Sequence, residues 1–169
     1  RRSFVGLVTD PNDRAYLEVE VPAGNGVGTA RAIARAYSAF AEGGTELGIT
    51  PETLARITAP PVMAGPKDVV LGLPSYFSLG FLRPGPHQDF GSSPRAFGAP
   101  GAGGSFAFAD PDARLGFAFV MNKLDFYLEN DPREKALRDA VYRAIARLAT
   151  PTRAAKMADA SKRPRALVA

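Results

Sequence analysis

Apolar residues recur every three or four positions between Thr29 and Ala41, which is the spacing of one face of an α-helix. The apolar face contains Ile33, Ala36, Tyr37 and Phe40. Arg31 and Arg35 fall on the opposite face, and Gly43-Gly44 supplies a signal for the helix to end. The pattern therefore predicts an amphipathic helix with one buried face.

A second long helix is predicted to begin at Asp131. Asp131 is a capping residue, Pro132 follows it, and the acidic Glu134 lies three positions after the cap. The apolar positions expected to line one face are Leu137, Val141, Ile145 and Leu148. This pattern stops before Pro151. A shorter helix is predicted to begin at Thr50-Pro51-Glu52 and to end at Pro60-Pro61.

Short runs of aromatic, β-branched and alternating residues predict the strands. These runs are residues 3–8, 16–21, 76–82, 105–109 and 115–121. A turn at residues 110–113 joins the last two runs into a hairpin, so the sheet is antiparallel. Continuous apolar content predicts that residues 115–121 are the most buried strand, with Phe117, Phe119 and Met121 on one side. The fold class is α/β (α+β), an antiparallel sheet with flanking helices.

The net charge of +4 lies entirely in the C-terminal tail. Residues 151–169 hold five Lys or Arg side chains against one Asp, so residues 1–150 are neutral overall. Binding of single-stranded nucleic acid would require aromatic residues between the basic ones, and the tail has none. We therefore expect one domain over residues 1–150, a flexible basic tail over residues 151–169, and no nucleic-acid partner. No apolar run reaches the roughly 20 residues of a membrane span.

Groups that could carry chemistry are few. The chain has no cysteine, which excludes disulfides, thiolate metal sites and a cysteine nucleophile. Its one histidine, His87, is a candidate base, but a loop histidine in solvent is the simpler interpretation. The glycines of Gly24–Gly28 precede a helix without the Lys-Ser/Thr pair of a phosphate-binding loop. Asp110 and Asp112 are interpreted as ordinary turn residues.

The glycine-rich segment Gly98–Ser105 and the hairpin after it resemble the third conserved element of serine β-lactamases and penicillin-binding proteins. Pro22–Arg31, the helix after it and Leu79–Phe81 extend the resemblance to roughly residues 15–149. The order and spacing of these segments are similar to the C-terminal portion of class C β-lactamases and family VIII esterases. The resemblance implies a β-lactamase/transpeptidase-like fold and hydrolysis of an ester or amide through a serine acyl-enzyme. It implies no metal and no organic cofactor.

The resemblance also implies where the site lies. Ala102 follows the third element and would donate its backbone N–H to the oxyanion of the tetrahedral intermediate. The neighbours expected to contact substrate or shape the strand beside it are Ala99, Pro100, Gly101, Gly103, Gly104 and Ser105. Their small size lets a substrate carbonyl approach the backbone. We expect residues 101–103 to begin an exposed edge strand, with the Ala102 N–H turned away from the sheet.

Two elements of the family pattern are absent. No serine in the chain is followed by lysine at the third position, so the Ser-x-x-Lys nucleophile motif is missing. No tyrosine has asparagine two residues on, and Tyr76–Ser78, which comes nearest, is interpreted as core packing. Ala99 stands where the family usually has Lys, His or Trp. A neutral alanine cannot hold a substrate carboxylate, which weakens the case for a β-lactam substrate more than for an ester.

The expected function is therefore that of a C-terminal fragment of a β-lactamase-related serine hydrolase, most simply an esterase. Its nucleophile is expected in a missing N-terminal half, its substrate is a small ester or amide, and the chain alone is expected to be inactive. Two alternatives stay open. A non-catalytic binding or scaffold domain would keep the fold without the chemistry, and Ala99 favours it. A half-domain could also form a homo-oligomer that covers an exposed sheet edge.

Overall fold

The computed structural model describes residues 12–22, 24, 26–60, 67–70, 72, 74, 76–86, 88–127 and 130–149. The strand predicted at residues 3–8 and the tail predicted at residues 151–169 lie outside the described residues. The helices are α1 (Arg14–Leu17), α2 (Ala30–Ala41), α3 (Pro51–Thr58) and α4 (Pro132–Ala149), with a 3₁₀ turn at Thr45–Leu47. The strands are β1 (Phe77–Ser78), β2 (Phe81–Leu82), β3 (Phe97–Pro100), β4 (Phe106–Asp110) and β5 (Leu115–Phe119).

The five strands form one antiparallel sheet in chain order, β1-β2-β3-β4-β5. Strand β4 has a partner strand on each side, and its Phe108 lies opposite Gly98 of β3 and Phe117 of β5. Short turns join β1 to β2, β3 to β4 and β4 to β5, and a longer loop over residues 83–96 joins β2 to β3. Each neighbour in the sheet is therefore also the neighbour in sequence. The predicted antiparallel sheet with flanking helices is confirmed.

The two faces of the sheet differ because β4 alternates large and small side chains. Phe106 and Phe108 face one side, where the core also contains Phe90, Phe117 and the α4 residues Val141 and Tyr142. Ala109 faces the other side, where the core contains Phe97, Ala41 of α2 and Ile57 of α3. The sheet is therefore a layer between α4 on its phenylalanine face and α2 with α3 on its alanine face.

Local capping explains where α2 and α3 begin and end. The Thr29 hydroxyl accepts a hydrogen bond of 3.2 Å from the Ala32 N–H at the start of α2. The chain leaves α2 through Gly43 and Gly44, whose φ angles are +105° and +75°. Thr50 caps α3 in the same way as Thr29 caps α2. The predicted starts of both helices, and the predicted hairpin of β4 and β5, are confirmed.

Two predicted strands are wrong. Residues 16–21 were expected to be extended, but α1 covers the first two of them because the Asp13 carboxylate accepts from the Ala15 N–H and caps a helical turn. The predicted strand at residues 76–82 is instead the β1–β2 hairpin. Leu79 and Gly80 both have positive φ, 45° and 85°, which reverses the chain in two residues.

The prediction that residues 115–121 are the most buried strand is wrong. All five residues of β4 are buried, whereas β5 lies at an edge of the described sheet with Phe117 as its one buried residue. Strand β5 ends at Phe119, so Met121 lies beyond it, and Val120 is 42% exposed. Phe117 and Phe119 do share one face, as expected.

The apolar face predicted for α4 is also wrong in part. Leu137 and Leu148 are exposed, and the buried residues of the helix are the charged Glu134 and Arg138. A charged pair in the core cannot be recognised from the hydrophobic period alone. The buried side of α4 therefore contains Arg138, one position after the predicted Leu137. On α2, Ala36 is exposed rather than buried.

Within the described residues, each helix is too short or too polar to cross a lipid bilayer.

Candidate active site

The predicted site residues lie at a tight turn between β3 and β4. The Gly101 N–H donates to the Ser105 carbonyl at 2.7 Å, and the Gly104 N–H donates to the Gly101 carbonyl at 3.1 Å. Gly103 and Gly104 have φ angles of +89° and +111°, which only glycine adopts readily. Residues 101–103 therefore do not begin a strand, and that prediction is wrong because β-strands require negative φ.

Strand β3 is not an edge strand either, since it pairs with both β2 and β4. The Ala102 N–H was expected to point away from the sheet. Ala102 is exposed at the tip of the turn. Among the described residues, no group accepts a hydrogen bond from its N–H.

The other predicted residues divide between the sheet and a small cavity. Ala99 lies opposite Ala107 in the β3–β4 ladder and is half-buried. Pro100, Gly101, Gly104 and Ser105 line a cavity with residues of α4 and the segments before it, including Tyr127, Asn130, Asp131 and Glu134. Its volume is about 20 Å³, which is room for about one water molecule. This cavity is too small to bind a substrate, so the open side of the turn is the side available for chemistry.

Arg133 of α4 contacts the turn on the side that faces the helix, and no motif in the sequence singles it out. Its guanidinium donates to the Gly103 carbonyl at 3.4 Å and to the Lys123 carbonyl at 2.7 Å. The same group makes a fork-like pair with the Asp131 carboxylate, whose shortest N–O distance is 2.6 Å. The hydrogen bond from Arg133 lowers the pKa of Asp131, and the carboxylate raises the pKa of Arg133.

Behind that pair, Glu134 and Arg138 form a buried ion pair with an N–O distance of 2.7 Å. Their side chains are 1% and 4% exposed, so water screens their charges little. Arg138 also donates to the Asp89 carbonyl and, at 3.4 Å, to the Asn130 side chain. The i, i+4 spacing was the available signal, but charged helix positions are usually assigned to solvent.

Asp110 is not an ordinary turn residue, as the sequence suggested. It is fully buried at the end of β4 and accepts hydrogen bonds from the Ser92 N–H and hydroxyl. It also accepts from the Ala113 N–H and, at 2.6 Å, from the Tyr142 hydroxyl. Burial and this hydrogen bond raise the pKa of Tyr142. Asp112 does lie in the turn, where it forms an exposed pair with Arg95 at 2.8 Å. His87 lies outside the described residues.

The strand, glycine turn and hairpin described above lie within the region that matches a known protein family. The family model described as beta-lactamase matches residues 3–142. The chain belongs to the beta-lactamase family. The resemblance drawn from residues 15–149 is therefore confirmed at the level of the family.

The relatives of this chain include proteins whose names contain esterase, carboxylesterase and beta-lactamase. The chain is 39% identical over 126 residues to the esterase/beta-lactamase LipL of Mycobacterium tuberculosis, covering 72% of this chain and 28% of LipL. It resembles the crystal structure of a family VIII carboxylesterase with 41% identity and a TM-score of 0.67, covering 78% of this chain and 36% of that one. It also resembles a penicillin-binding protein homologue from Caulobacter crescentus with 40% identity and a TM-score of 0.68, again covering 78% and 36%.

The chain thus spans about a third of the length of its solved relatives in the beta-lactamase family. Its fold is the β-lactamase/transpeptidase-like fold of those relatives, represented here by the antiparallel sheet with helices on both faces.

Proposed function

We propose that this chain is the C-terminal part of a serine hydrolase that cleaves esters through an acyl-enzyme, with the nucleophile supplied from outside these 169 residues. The observation that carries the proposal is the backbone N–H of the exposed residue Ala102, which donates to no described group. A backbone N–H held in place beside small residues is the donor that a tetrahedral oxyanion requires. The relatives named as an esterase and a carboxylesterase support ester hydrolysis.

In the proposed reaction, the serine of an upstream Ser-x-x-Lys attacks the ester carbonyl carbon, and its proton passes to the lysine. The carbonyl electron pair moves onto the oxygen, and the Ala102 N–H donates a hydrogen bond to that oxyanion. Collapse of the intermediate expels the alcohol with the proton and leaves an acyl-serine. Water then attacks the acyl carbon and gives a proton to the lysine, which forms a second oxyanion at the same donor. Collapse of this intermediate breaks the bond to the serine oxygen, the serine takes the proton back, and the acid is released.

Two features favour a neutral ester over a β-lactam with a carboxylate. Ala99 carries neither a charge nor a side-chain hydrogen-bond donor where the family usually has one. The nearby Arg133 guanidinium is already paired with the Asp131 carboxylate. A substrate carboxylate therefore finds little compensation for its desolvation at this turn.

A fluorophosphonate probe tests this proposal, because it labels activated serine nucleophiles. We expect the protein expressed with the coding sequence upstream of Arg1 to be labelled stoichiometrically at an upstream Ser-x-x-Lys and to hydrolyse neutral p-nitrophenyl esters. Ser93→Ala is the matched control and should leave labelling unchanged, because the Ser93 hydroxyl pairs with Asp112 outside the glycine turn. The 169-residue chain alone should remain unlabelled and inactive. Labelling at any serine of this chain would overturn the proposal.

A non-catalytic binding or scaffold domain is the second candidate, and Ala99 is the observation that favours it. It predicts an upstream sequence without an in-frame Ser-x-x-Lys or Tyr-x-Asn, and no labelling by the probe. A homo-oligomer that covers the β5 edge is a further possibility for the isolated chain, and native mass spectrometry at micromolar concentration would detect it.

A further inference from the structure

The carbonyl of Gly103 accepts hydrogen bonds that link the glycine turn to two other parts of the protein. The Asp125 N–H donates to this oxygen at 3.0 Å, and the Arg133 guanidinium donates to it at 3.4 Å. One donor lies on the segment after β5 and the other in the first turn of α4. The orientation of the Gly103–Gly104 peptide is therefore set by two separate parts of the chain.

That peptide is linked by a hydrogen bond to the peptide that carries the proposed oxyanion donor. Because a peptide unit is planar, fixing the Gly103 carbonyl also fixes the Gly104 N–H. The Gly104 N–H donates to the Gly101 carbonyl at 3.1 Å. The Gly101 carbonyl belongs to the same planar unit as the Ala102 N–H, so its orientation is passed on to that N–H.

The linkage also polarises the donor. A cation on the Gly103 carbonyl draws electron density from its peptide and makes the Gly104 N–H a stronger donor. A stronger bond at the Gly101 carbonyl in turn makes the Ala102 N–H more positive. Chains of hydrogen bonds strengthen one another in this way, by about 10–30% per bond.

Arg133 itself is held tightly enough to perform this role. Its fork-like pair with Asp131 fixes the guanidinium plane, and the Asp131 side chain is 6% exposed. A Cβ atom at Gly104 would overlap both the Asp131 carboxylate and the Arg133 guanidinium. Gly104 and the ion pair are therefore in direct contact, beside the small cavity described above.

We propose that Arg133 is a positioning residue for the oxyanion donor, acting through the Gly103–Gly104 and Gly101–Ala102 peptides. This inference rests on the proposed esterase function, because it assigns Ala102 as the donor. Arg133 touches neither the substrate nor the reacting atoms in this account. Its effect is expected on kcat rather than on KM, because the oxyanion exists only in the transition state and intermediate.

Two variants and one control test the proposal in the protein that includes the upstream coding sequence. Arg133→Met removes the fork and the charge, and Arg133→Lys keeps the charge but cannot span Asp131 and Gly103 together. Lys135→Met is the matched control, since Lys135 lies on the same helix and pairs with Asp139 in an exposed ion pair. Kinetics on a neutral ester are measured alongside hydrogen exchange of the Gly104 and Asp125 amides.

We expect Arg133→Met to lower kcat by about 10-fold to 100-fold, the scale of a small misplacement in an active site, with KM nearly unchanged. Exchange should accelerate at Gly104 and Asp125 while the β4 amides keep their protection. Arg133→Lys should recover only part of kcat, and Lys135→Met should match the wild-type protein in both measurements.

Three results would overturn the inference. Unchanged Gly104 exchange in Arg133→Met would mean that Arg133 does not hold the turn. Faster Gly104 exchange with unchanged kcat would mean that the held turn does not serve the reaction. Faster exchange throughout β4 would reduce Arg133 to a general stabilising residue. A wild-type protein without esterase activity would instead remove the proposed function and the catalytic role of Arg133 with it, whatever the exchange data show about the turn.

Discussion

The backbone of Ser38 on α2 lies directly over Gly116 on β5, so closely that a Cβ atom at Gly116 would overlap the Ser38 N–H and hydroxyl. The Ala34 carbonyl of α2 borders the same space. The glycine therefore sets how closely the helix packs on the sheet. We expect Gly116→Ala to destabilise the protein by about 1–3 kcal/mol, the usual cost of overpacking, with urea denaturation as the measurement.

Gly26→Ala is the matched control for this substitution. A Cβ at Gly26 meets no atom within 4 Å, and Gly26 lies in an exposed loop. We expect its midpoint of denaturation to stay near that of the wild-type protein. A Gly116→Ala protein as stable as Gly26→Ala would show that α2 can move away from the sheet without cost.

Tyr142 links α4 to the end of β4 through the Asp110 carboxylate. Tyr142→Phe removes a 2.6 Å hydrogen bond to a buried acceptor while keeping the ring in the core. We expect a loss of about 1.5–3 kcal/mol in the free energy of unfolding, the range for a hydrogen bond to a charged group. Since the pKa of Tyr142 is raised, its phenol should not ionise in an absorbance titration between pH 7 and the ordinary tyrosine pKa of about 10.

The buried pair of Glu134 and Arg138 predicts a strong asymmetry between single and double substitution. Arg138→Met leaves an unpaired buried carboxylate and should cost about 3–5 kcal/mol. Glu134→Leu combined with Arg138→Met should recover most of that loss, because both charges are then gone. The exposed neighbour Lys135→Met provides the control and should change stability by less than about 1 kcal/mol. A double variant no more stable than Arg138→Met would contradict this account.

Asp131 predicts an acid-sensitive contribution to stability. Its pKa is lowered in the folded protein, chiefly by the hydrogen bond from Arg133. Its stabilising effect is therefore complete above the ordinary aspartate pKa of about 3.9 and is lost as pH falls through the lower folded value. The difference in unfolding free energy between wild type and Asp131→Asn should be largest near pH 6 and should shrink below about pH 4.

The same comparison in an Arg133→Met background identifies the cause. Without the guanidinium, the pH-dependent part of the Asp131→Asn effect should shrink but not vanish, because the backbone N–H groups of residues 133 and 134 still donate to the carboxylate. A difference that persisted at full size in that background would show that another group sets the pKa of Asp131.

The sequence was sufficient for features that depend on local chemistry. The Thr29 and Thr50 caps, the glycines after α2 and the β4–β5 hairpin follow from residues adjacent in the chain. Residues 76–82 were misassigned because Leu79 enters the left-handed region, which hydrophobic alternation does not reveal. Strand β4 is more buried than β5 because β4 has a neighbouring strand on both sides, and this is a property of the assembled sheet.

The position of the site along the chain could be predicted, because the glycine-rich segment and the family resemblance are features of the local sequence. The residues that support the site from other parts of the fold could not. Arg133 and the Glu134–Arg138 pair could not be recognised, because their partners Gly103 and Asp89 lie 30 and 49 residues away. Charged side chains on a helix are usually solvated, and only the fold shows that these are not.

Turnover of Ala102→Pro tests the central claim most directly, in the protein that includes the upstream coding sequence. Proline removes the backbone N–H, whereas Ala102→Ser keeps it and is the matched control. With the melting temperature checked for both variants, we predict that Ala102→Pro lowers kcat by about 10²–10³, the scale for one oxyanion donor, and that Ala102→Ser stays close to wild type. A folded Ala102→Pro protein with unimpaired turnover would contradict the account.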